Sequence, residues 1–168
     1  MRLRRLEIKD ADRMYEWMHD WFVVEKMQTD FMSKTKEDCC YFINNSQSND
    51  YIHLAIVDDE DVYMGTVSLK HMTKRNAEFA ITVCREVMGK GYAIAAMKEI
   101  IKLGFEKYGL SDIYWCVASD NTRALRFYNK NGFQTVDPIN IDGIEGYTNE
   151  QIRAYTWYQI SKVSKCDS

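Results

Sequence analysis

The clearest hydrophobic pattern in the chain covers residues 93–108. Apolar side chains recur there at the three- and four-residue steps of one helix face, at Ala93, Ile94, Met97, Ile100, Ile101, Phe105 and Tyr108. Gly109 follows at a position where helices commonly end in a left-handed residue. An apolar run at 80–84 precedes the helix, and Gly89 and Gly91 lie between the two. The stretch predicts a strand, a tight glycine turn and a long helix.

The rest of the chain continues this mixture of periods. Helical spacing predicts helices over residues 11–22, 35–45 and 122–131. Short apolar or alternating runs predict strands over 2–8, 51–57, 62–71, 78–84, 113–117, 133–136 and 152–161. Gly65 inside a predicted strand indicates a bulge or a close backbone approach. The order β-α-α-β-β-β-α-β-α-β-β predicts a mixed α/β fold with about seven strands and four helices.

The glycine turn at 86–93 has the local chemistry of an anion site. Backbone N–H groups at the start of a helix point outward, and the helix dipole adds partial positive charge there. Glycines at 89 and 91 allow a ligand to approach the backbone closely. Ile94 stands where a dinucleotide fingerprint needs its third glycine, and Gly89-Lys90-Gly91 does not fit the nucleotide P-loop. Taken alone, the motif is equally compatible with an ordinary strand-to-helix turn.

A second motif lies downstream, at residues 117–133, with Asn121, Ala124, Tyr128, Gly132 and Phe133. Together the two stretches resemble the GNAT superfamily of acyl-CoA-dependent N-acetyltransferases. The first is similar to that family's pyrophosphate loop, Gln/Arg-x-x-Gly-x-Gly/Ala, and the second to its Asn-x-x-Ala-x-x-x-Tyr-x-x-x-Gly-Phe signature. Glu86 departs from the Gln or Arg of many members, and Met88 from the usual Arg or Trp. The resemblance extends from about residue 54 to residue 133.

The resemblance implies a GNAT-like central mixed sheet whose fourth and fifth strands splay apart around the pantetheine arm of acetyl-CoA. It implies that the cofactor is bound by Ile81, Val83, Val87, Met88, Gly89, Lys90, Gly91, Tyr92, Ala93, Asn121, Ala124 and Tyr128. It also implies that the first helices form the acceptor wall, with Trp17, Trp21 and Phe22 as candidate substrate-binding residues. For each of these three aromatic residues, ordinary helix packing is the alternative.

Acetyl transfer from a thioester to an amine needs a neutral amine and benefits from protonation of the leaving thiolate. Tyr128 is the candidate acid, because its hydroxyl has a usual pKa near 10 and stays protonated at neutral pH. The alternative is a packing tyrosine between helix and sheet. Glu78 is the candidate base, since it opens the strand that leads into the glycine turn. The alternative is a solvated charge at the strand end.

Length and composition bear on the number of domains, the kinds of partner and the location of the protein. The 168 residues, without repeats or linker-like stretches, predict one domain over 1–168 with a frayed tail at 162–168. A net charge of −3 without a basic run argues against nucleic acid as a partner. No stretch approaches the roughly 20 apolar residues of a membrane span. Five cysteines without a C-x-x-C motif predict a reducing, cytoplasmic location. His19, His53 and His71 lack metal-ligand spacing, so no metal is expected.

The sequence therefore predicts an enzyme that transfers the acetyl group of acetyl-CoA to a primary amine, by direct attack in a ternary complex. The N-terminal pattern resembles the branch that contains ribosomal-protein, aminoglycoside and amino-sugar acetyltransferases. A small-molecule acceptor, either a cationic amine or an amino sugar, is preferred, and the acidic residues Asp20, Glu25 and Glu78 favour a cationic amine. Acetylation of protein N-termini and non-catalytic acyl-CoA binding are the alternatives. The sequence leaves open whether the protein is a monomer or a homodimer.

Overall fold

The computed structural model of the protein describes residues 1–163. Six strands form one sheet in chain order: β1 (Arg2–Arg5), β2 (Ile52–Val57), β3 (Tyr63–Lys70), β4 (Asn76–Val83), β5 (Asp112–Ala118) and β6 (Tyr155–Ser161). Neighbouring strands are antiparallel except β4 and β5, which are parallel. The helices are α1 (Ala11–Met18), α2 (Trp21–Val24), α3 (Lys36–Asn44), α4 (Tyr92–Glu106), α5 (Thr122–Lys130) and α6 (Asn149–Ala154).

The mixed α/β class is confirmed, with one strand fewer and two short helices more than expected. The predicted helix over 11–22 is wrong in its second half. Asp20 takes an extended conformation, and its side chain accepts a hydrogen bond from the Phe22 N–H, so a separate helix α2 begins at Trp21. A capped break of this kind interrupts the helix although the apolar spacing continues through it.

Two predicted strands near the C-terminus are also corrected. Residues 133–136 form no sheet strand, and only Thr135 makes an isolated bridge to Tyr158. The first part of the predicted strand 152–161 is helix α6, which starts at a capping box formed by Thr148 and Gln151. Of the predicted tail at 162–168, Lys162 donates its backbone N–H to Ser111. Residues 164–168 lie outside the described residues.

The two faces of the sheet carry separate cores. On one face, Met97 and Ile100 of α4, together with α5, pack against apolar side chains of the central strands, which include Val67, Leu69, Phe79 and Trp115. On the other face, α1 and α3 pack against the N-terminal half of the sheet through Met14, Trp17, Cys39, Ile43, Ala55 and Tyr63. No helix within residues 1–163 is both long and apolar enough to cross a lipid bilayer.

Gly65 has the close backbone approach that the sequence indicated. A Cβ at this position would lie 2.3 Å from the carbonyl oxygen of Thr82 in the neighbouring strand. The register of β2 and β3 also shifts between Ile56 and Val57, opposite Gly65 and Tyr63. Both a bulge and a tight strand contact therefore occur here.

The parallel strands β4 and β5 separate soon after they begin. Their paired residues are Asn76 with Asp112, Ala77 with Ile113, and Glu78 with Tyr114. Beyond Glu78 and Tyr114, β4 continues to Val83 and β5 to Ala118 without pairing to each other. This opening, here called the splay, confirms the predicted separation of the fourth and fifth strands. Its closed end, the vertex, is the Glu78–Tyr114 pair.

Candidate active site

The glycine turn connects β4 to α4 and uses two left-handed residues. Gly89 has φ = 76° and Gly91 has φ = 84°, and Gly91 immediately precedes the helix. A Cβ at either position would meet nothing within 4 Å, so the backbone conformation is what requires glycine. Glu86, the departure from the family motif, forms an ion pair with Arg13 of α1. This ion pair attaches the turn to α1, which packs on the face of the sheet opposite to α4.

The turn divides its backbone N–H groups into two sets. Three are used inside the turn and donate to carbonyl oxygens at 3.1–3.2 Å: those of Val87, Met88 and Lys90. Four have no backbone acceptor within residues 1–163: those of Gly89, Gly91, Tyr92 and Ala93. These four lie at the start of a 15-residue helix, where the dipole favours an anion. The turn therefore has the donors and the field that a phosphate group needs.

The splay is bordered on its β4 side by half-buried apolar residues that include Ile81 and Val83. On its β5 side, the start of α5 is fixed by Asn121, whose side chain accepts a hydrogen bond from the Ala124 N–H at 3.2 Å. Asn121 is therefore the N-cap of α5. Ala124 is partly buried against the apolar core at this helix.

Glu78 lies at the vertex and is only 2% exposed. The Tyr147 hydroxyl donates to Oε1. Nδ1 of His71 lies 2.9 Å from Oε2, and Nζ of Lys70 lies 3.7 Å from Oε1. The alternative of a solvated charge at a strand end is therefore wrong. Glu78 is a buried carboxylate with partners on both oxygens, as a buried charge requires.

Tyr128 lies on the opposite face of the sheet, beside the same vertex. Its ring contacts Trp115, the first residue of β5 beyond the last pair, with ring centroids 5.3 Å apart. It also contacts Tyr158 at 5.2 Å. Burial raises the pKa of the Tyr128 hydroxyl well above its usual range, so the hydroxyl stays protonated. Within the described chain, this hydroxyl makes no hydrogen bond.

A cavity of about 500 Å³ adjoins the splay on the Glu78 face. Its floor includes Ala80, Ile81 and Thr82 of the unpaired part of β4. Aromatic rings supply much of its wall: Trp17, Phe31, Tyr41, Phe42 and Tyr51. The charged residues on its wall are Lys34, Lys70 and Asp38. Glu78 pairs across the strands with Lys70 and lies two residues before Ala80, so one end of the cavity lies close to the vertex, although neither Glu78 nor Tyr114 lines it.

The three aromatic residues predicted for the acceptor wall have different positions. Trp17 lines the cavity, and its Nε1 donates to the Tyr63 hydroxyl at 2.9 Å. Trp21 and Phe22 do not line it, because they belong to the separate helix α2. Trp21 is 63% exposed. The Phe22 ring lies between the guanidinium groups of Arg85 and Arg123, at 4.3 and 4.6 Å from its centroid.

Comparison with known proteins gives the family. The family model described as "Acetyltransferase (GNAT) domain" matches residues 1–134. The chain belongs to the GNAT acetyltransferase family. It is thus an N-acetyltransferase that uses acetyl-CoA as its acyl donor.

Individual relatives are consistent with this assignment. The chain is 29% identical over 140 residues to the uncharacterized N-acetyltransferase p20 of Bacillus licheniformis, covering 79% of this chain and 78% of p20. It is 37% identical over 67 residues to the spermidine N(1)-acetyltransferase of Escherichia coli K12, covering 40% of this chain and 36% of that enzyme. A Vibrio cholerae spermidine N-acetyltransferase, solved with CoA and spermine, shares the fold with a TM-score of 0.75 at 22% identity, covering 95% and 94% of the two chains.

Cys116 is a cysteine of β5 that lies near the vertex. It is two residues beyond Tyr114 on β5, and burial is the main reason that its pKa rises to about 11. It therefore remains a thiol at neutral pH and is a poor nucleophile. The four cysteines within the described residues, Cys39, Cys40, Cys84 and Cys116, are all free.

Sequence reasoning missed the partners of Glu78. Tyr147 lies in the irregular segment before α6, beyond the residues that match the family model. His71 has φ = 49°, a left-handed conformation that is uncommon for a residue other than glycine. Neither feature has a local sequence signal, because both depend on contacts between distant parts of the chain.

Proposed function

We propose that this enzyme acetylates the primary amine of a small molecule, and that the amine attacks acetyl-CoA directly in a ternary complex. The observation that carries the proposal is the vertex of the splay. A buried carboxylate, Glu78, borders it on one face, and a buried protonated hydroxyl, Tyr128, borders it on the other. Direct transfer needs a proton acceptor for the amine and a donor for the thiolate, and no enzyme nucleophile.

The position of acetyl-CoA in this proposal follows from the glycine turn. The free N–H groups at Gly89, Gly91, Tyr92 and Ala93 would bind the pyrophosphate. The pantetheine arm would run along Ile81 and Val83 on one side and past Asn121 and Ala124 on the other. Val87, Met88 and Lys90 would contact the cofactor through atoms other than their N–H groups, which are used within the turn.

The dimensions of the splay support this path. A strand rises about 3.3 Å per residue, so the five steps from Val83 back to Glu78 span roughly 17 Å. An extended pantetheine arm has a comparable length. The thioester would therefore lie at the vertex, between Glu78 and Tyr128. The amine would approach from the cavity, on the Glu78 face.

Glu78 would accept the proton of the attacking amine through a bound water, because its two oxygens already have protein partners. The carboxylate retains further lone pairs for that contact. Tyr128 would donate a hydrogen bond or a proton to the sulfur as the C–S bond breaks. Its hydroxyl is free for that contact, since within residues 1–163 nothing else binds it.

The cavity favours a hydroxylated amine, such as an amino sugar, over a polyamine. A polyamine carries several positive charges and needs carboxylates around it. The cavity wall has two lysines, Lys34 and Lys70, and one carboxylate, Asp38, whose side chain caps the Thr35 N–H. Aromatic rings and the hydroxyls of Thr66 and Ser68 are typical of a wall that binds the faces and hydroxyl groups of a sugar ring.

A polyamine is the second candidate, because relatives of this chain are spermidine acetyltransferases. The residues that suggested a cationic acceptor do not support it. Neither Asp20 nor Glu25 lines the cavity, and Nη1 of Arg85 lies 3.8 Å from the Asp20 carboxylate. The Glu78 carboxylate is already paired with Lys70, His71 and Tyr147.

The oligomeric state of the enzyme stays open, and a cytoplasmic location stays a prediction that the free cysteines support.

The test is release of free thiol from acetyl-CoA in the presence of an amine panel. The panel contains an amino sugar, spermidine and a short peptide with a free N-terminus. We expect the amino sugar to give the highest kcat/KM. A preference for spermidine would refute the argument from cavity charge, and a preference for the peptide would favour N-terminal acetylation. Binding of acetyl-CoA without thiol release for any amine would indicate a non-catalytic module.

A further inference from the structure

The carboxylate of Glu78 is held by residues from two separate segments. His71 follows β3, and Tyr147 lies in the loop before α6, 69 residues away in sequence from Glu78. The two residues approach different oxygens of the carboxylate. The proposed base is an ionised carboxylate, which can only accept hydrogen bonds, so that role requires a proton on Nδ1 of His71 and leaves the Tyr147 hydroxyl as the second donor.

The loop that carries Tyr147 is anchored at several points. The Asn76 side chain donates to the carbonyl oxygen of Asp142 at 2.8 Å, which ties the loop to the first residue of β4. Ile141 is buried against Tyr114 and Trp157. The Tyr147 ring packs edge-on against Trp157, with centroids 5.3 Å apart. The position of the hydroxyl is thus fixed by the fold.

His71 is held just as firmly. Its backbone is left-handed, with φ = 49°, and its ring lies beside the Glu78 carboxylate. Gly146 lies against that ring, because a Cβ added at Gly146 would be 3.5 Å from Cε1 of His71. An uncommon backbone conformation of this kind persists when the surrounding structure requires it, and such residues cluster at functional sites.

We propose that Tyr147 and His71 form a clamp that holds Glu78 in its ionised, proton-accepting state at the vertex. Both are positioning residues, and the loop at 141–147 becomes part of the active site. The inference rests on the proposed role of Glu78 as base. It adds a segment outside residues 1–134, the part of the chain that matches the family model.

The clamp acts through hydrogen bonds to the charged form of the carboxylate, which favour that form. The other groups that face Glu78 are Lys70 from β3 and Tyr114 and Cys116 from β5. Lys70 adds positive charge at 3.7 Å and acts in the same direction as the clamp. Burial raises the pKa values of Tyr114, Cys116 and Tyr147, so all three remain neutral at neutral pH. Losing one donor should therefore weaken the stabilisation of the charged carboxylate.

The experiment measures kcat against pH for the wild type, Y147F, H71N and E78Q at saturating acetyl-CoA and acceptor. Y147F removes one donor and keeps the ring. We expect the acid limb of its kcat profile to move to higher pH by about one unit, which is a tenfold change in proton binding. At high pH its kcat should return to the wild-type value.

H71N is the matched variant. Asparagine tolerates a left-handed backbone and its amide can donate in place of Nδ1. We expect its acid limb to stay close to that of the wild type. Tyr108, which lies two residues after α4 and makes no hydrogen bond or ring contact with these residues, provides the control variant Y108F, whose profile should not change.

Three results would overturn the clamp. A Y147F acid limb at the wild-type position, with E78Q lacking the limb, would refute the clamp and leave Glu78 as the base. A uniform loss of kcat in Y147F at every pH would mean that its hydroxyl only supports the fold. An unchanged limb in E78Q would refute both the clamp and the role of Glu78, while turnover itself would still show an acetyltransferase.

Discussion

The role of the Tyr128 hydroxyl is the part of the mechanism that can be tested most cleanly, because the hydroxyl can be removed without removing a structural hydrogen bond. In Tyr128→Phe the ring keeps its contacts with Trp115 and Tyr158. The hydroxyl has no partner elsewhere in the described residues. We therefore expect the free energy of unfolding to change by less than about 0.5 kcal/mol. The change should appear in catalysis alone.

The size of the catalytic effect follows from what the hydroxyl does for the sulfur. Loss of a hydrogen bond to a charged acceptor costs about 1.5–3 kcal/mol. At 1.36 kcal/mol per factor of ten, this is roughly a 10- to 150-fold fall in kcat. If the hydroxyl transfers its proton completely, the fall can extend to about 10⁴-fold. Affinity for CoA should be nearly unchanged.

Tyr158→Phe is the matched control, because Tyr158 belongs to the same aromatic stack. Its hydroxyl donates to Asn129 at 3.0 Å, so this variant loses a real hydrogen bond, worth about 1 kcal/mol. We expect a Tm about 2–4 °C lower and a normal kcat. The assay combines thiol release with thermal unfolding. A normal kcat in Tyr128→Phe, under conditions where chemistry limits turnover, would remove Tyr128 from the mechanism.

Three further predictions concern the turn, the base and the cavity. Gly91→Val forces a β-branched residue to φ = 84° and should weaken CoA binding by at least about 1–2 kcal/mol. Lys90→Ala should weaken CoA binding by about 1 kcal/mol or less. Calorimetric titration that gives the reverse order would refute the proposal that the backbone N–H groups of the turn bind the pyrophosphate. Glu78→Gln should lower kcat/KM roughly 10²-fold near neutral pH and less at high pH, and a uniform fall would assign Glu78 to positioning. His53 lines the cavity. Burial, followed by the charge of Lys70, lowers the pKa of His53 to about 4, so the unfolded chain binds more protons than the folded one between about pH 4 and 6.5. Stability should therefore fall by up to roughly 3 kcal/mol as the pH drops through that range, and denaturation of His53→Asn should show a flatter pH dependence.

The parts of the fold that sequence reasoning predicted well depend on local chemistry. Helix α4 has a long, regular apolar face, and the left-handed turn before it needs glycine at 89 and 91. Both signals are contained within about 20 consecutive residues. The Tyr128 motif is equally local, since one helical turn places Ala124 and Tyr128 on the same face.

The errors have physical reasons that can be named. The apolar spacing of α1 continues into Trp21 and Phe22, so periodicity alone cannot show that Asp20 caps a new helix. The start of α6 did have a local signal, the capping box of Thr148 and Gln151, but the aromatic residues that follow favoured a strand over the whole segment.

The missing part of the site could not have been predicted from the sequence. The contact between Tyr147 and Glu78 joins residues that are 69 positions apart, and it depends on how an irregular loop folds over the end of the sheet. The end of strand pairing after Glu78 and Tyr114 has no pattern in either strand. Sequence reasoning therefore identified Glu78 but not its environment.

The central claim, direct attack on acetyl-CoA at the vertex, is tested most directly by rapid mixing of enzyme and acetyl-CoA without an acceptor. The raised pKa of Cys116 argues against an acetylated thiol as an intermediate. We predict no rapid release of CoA thiol until the amine is added, and stoichiometric release afterwards. A burst of thiol equal to the enzyme concentration in the absence of amine would show an acetyl-enzyme and contradict direct attack.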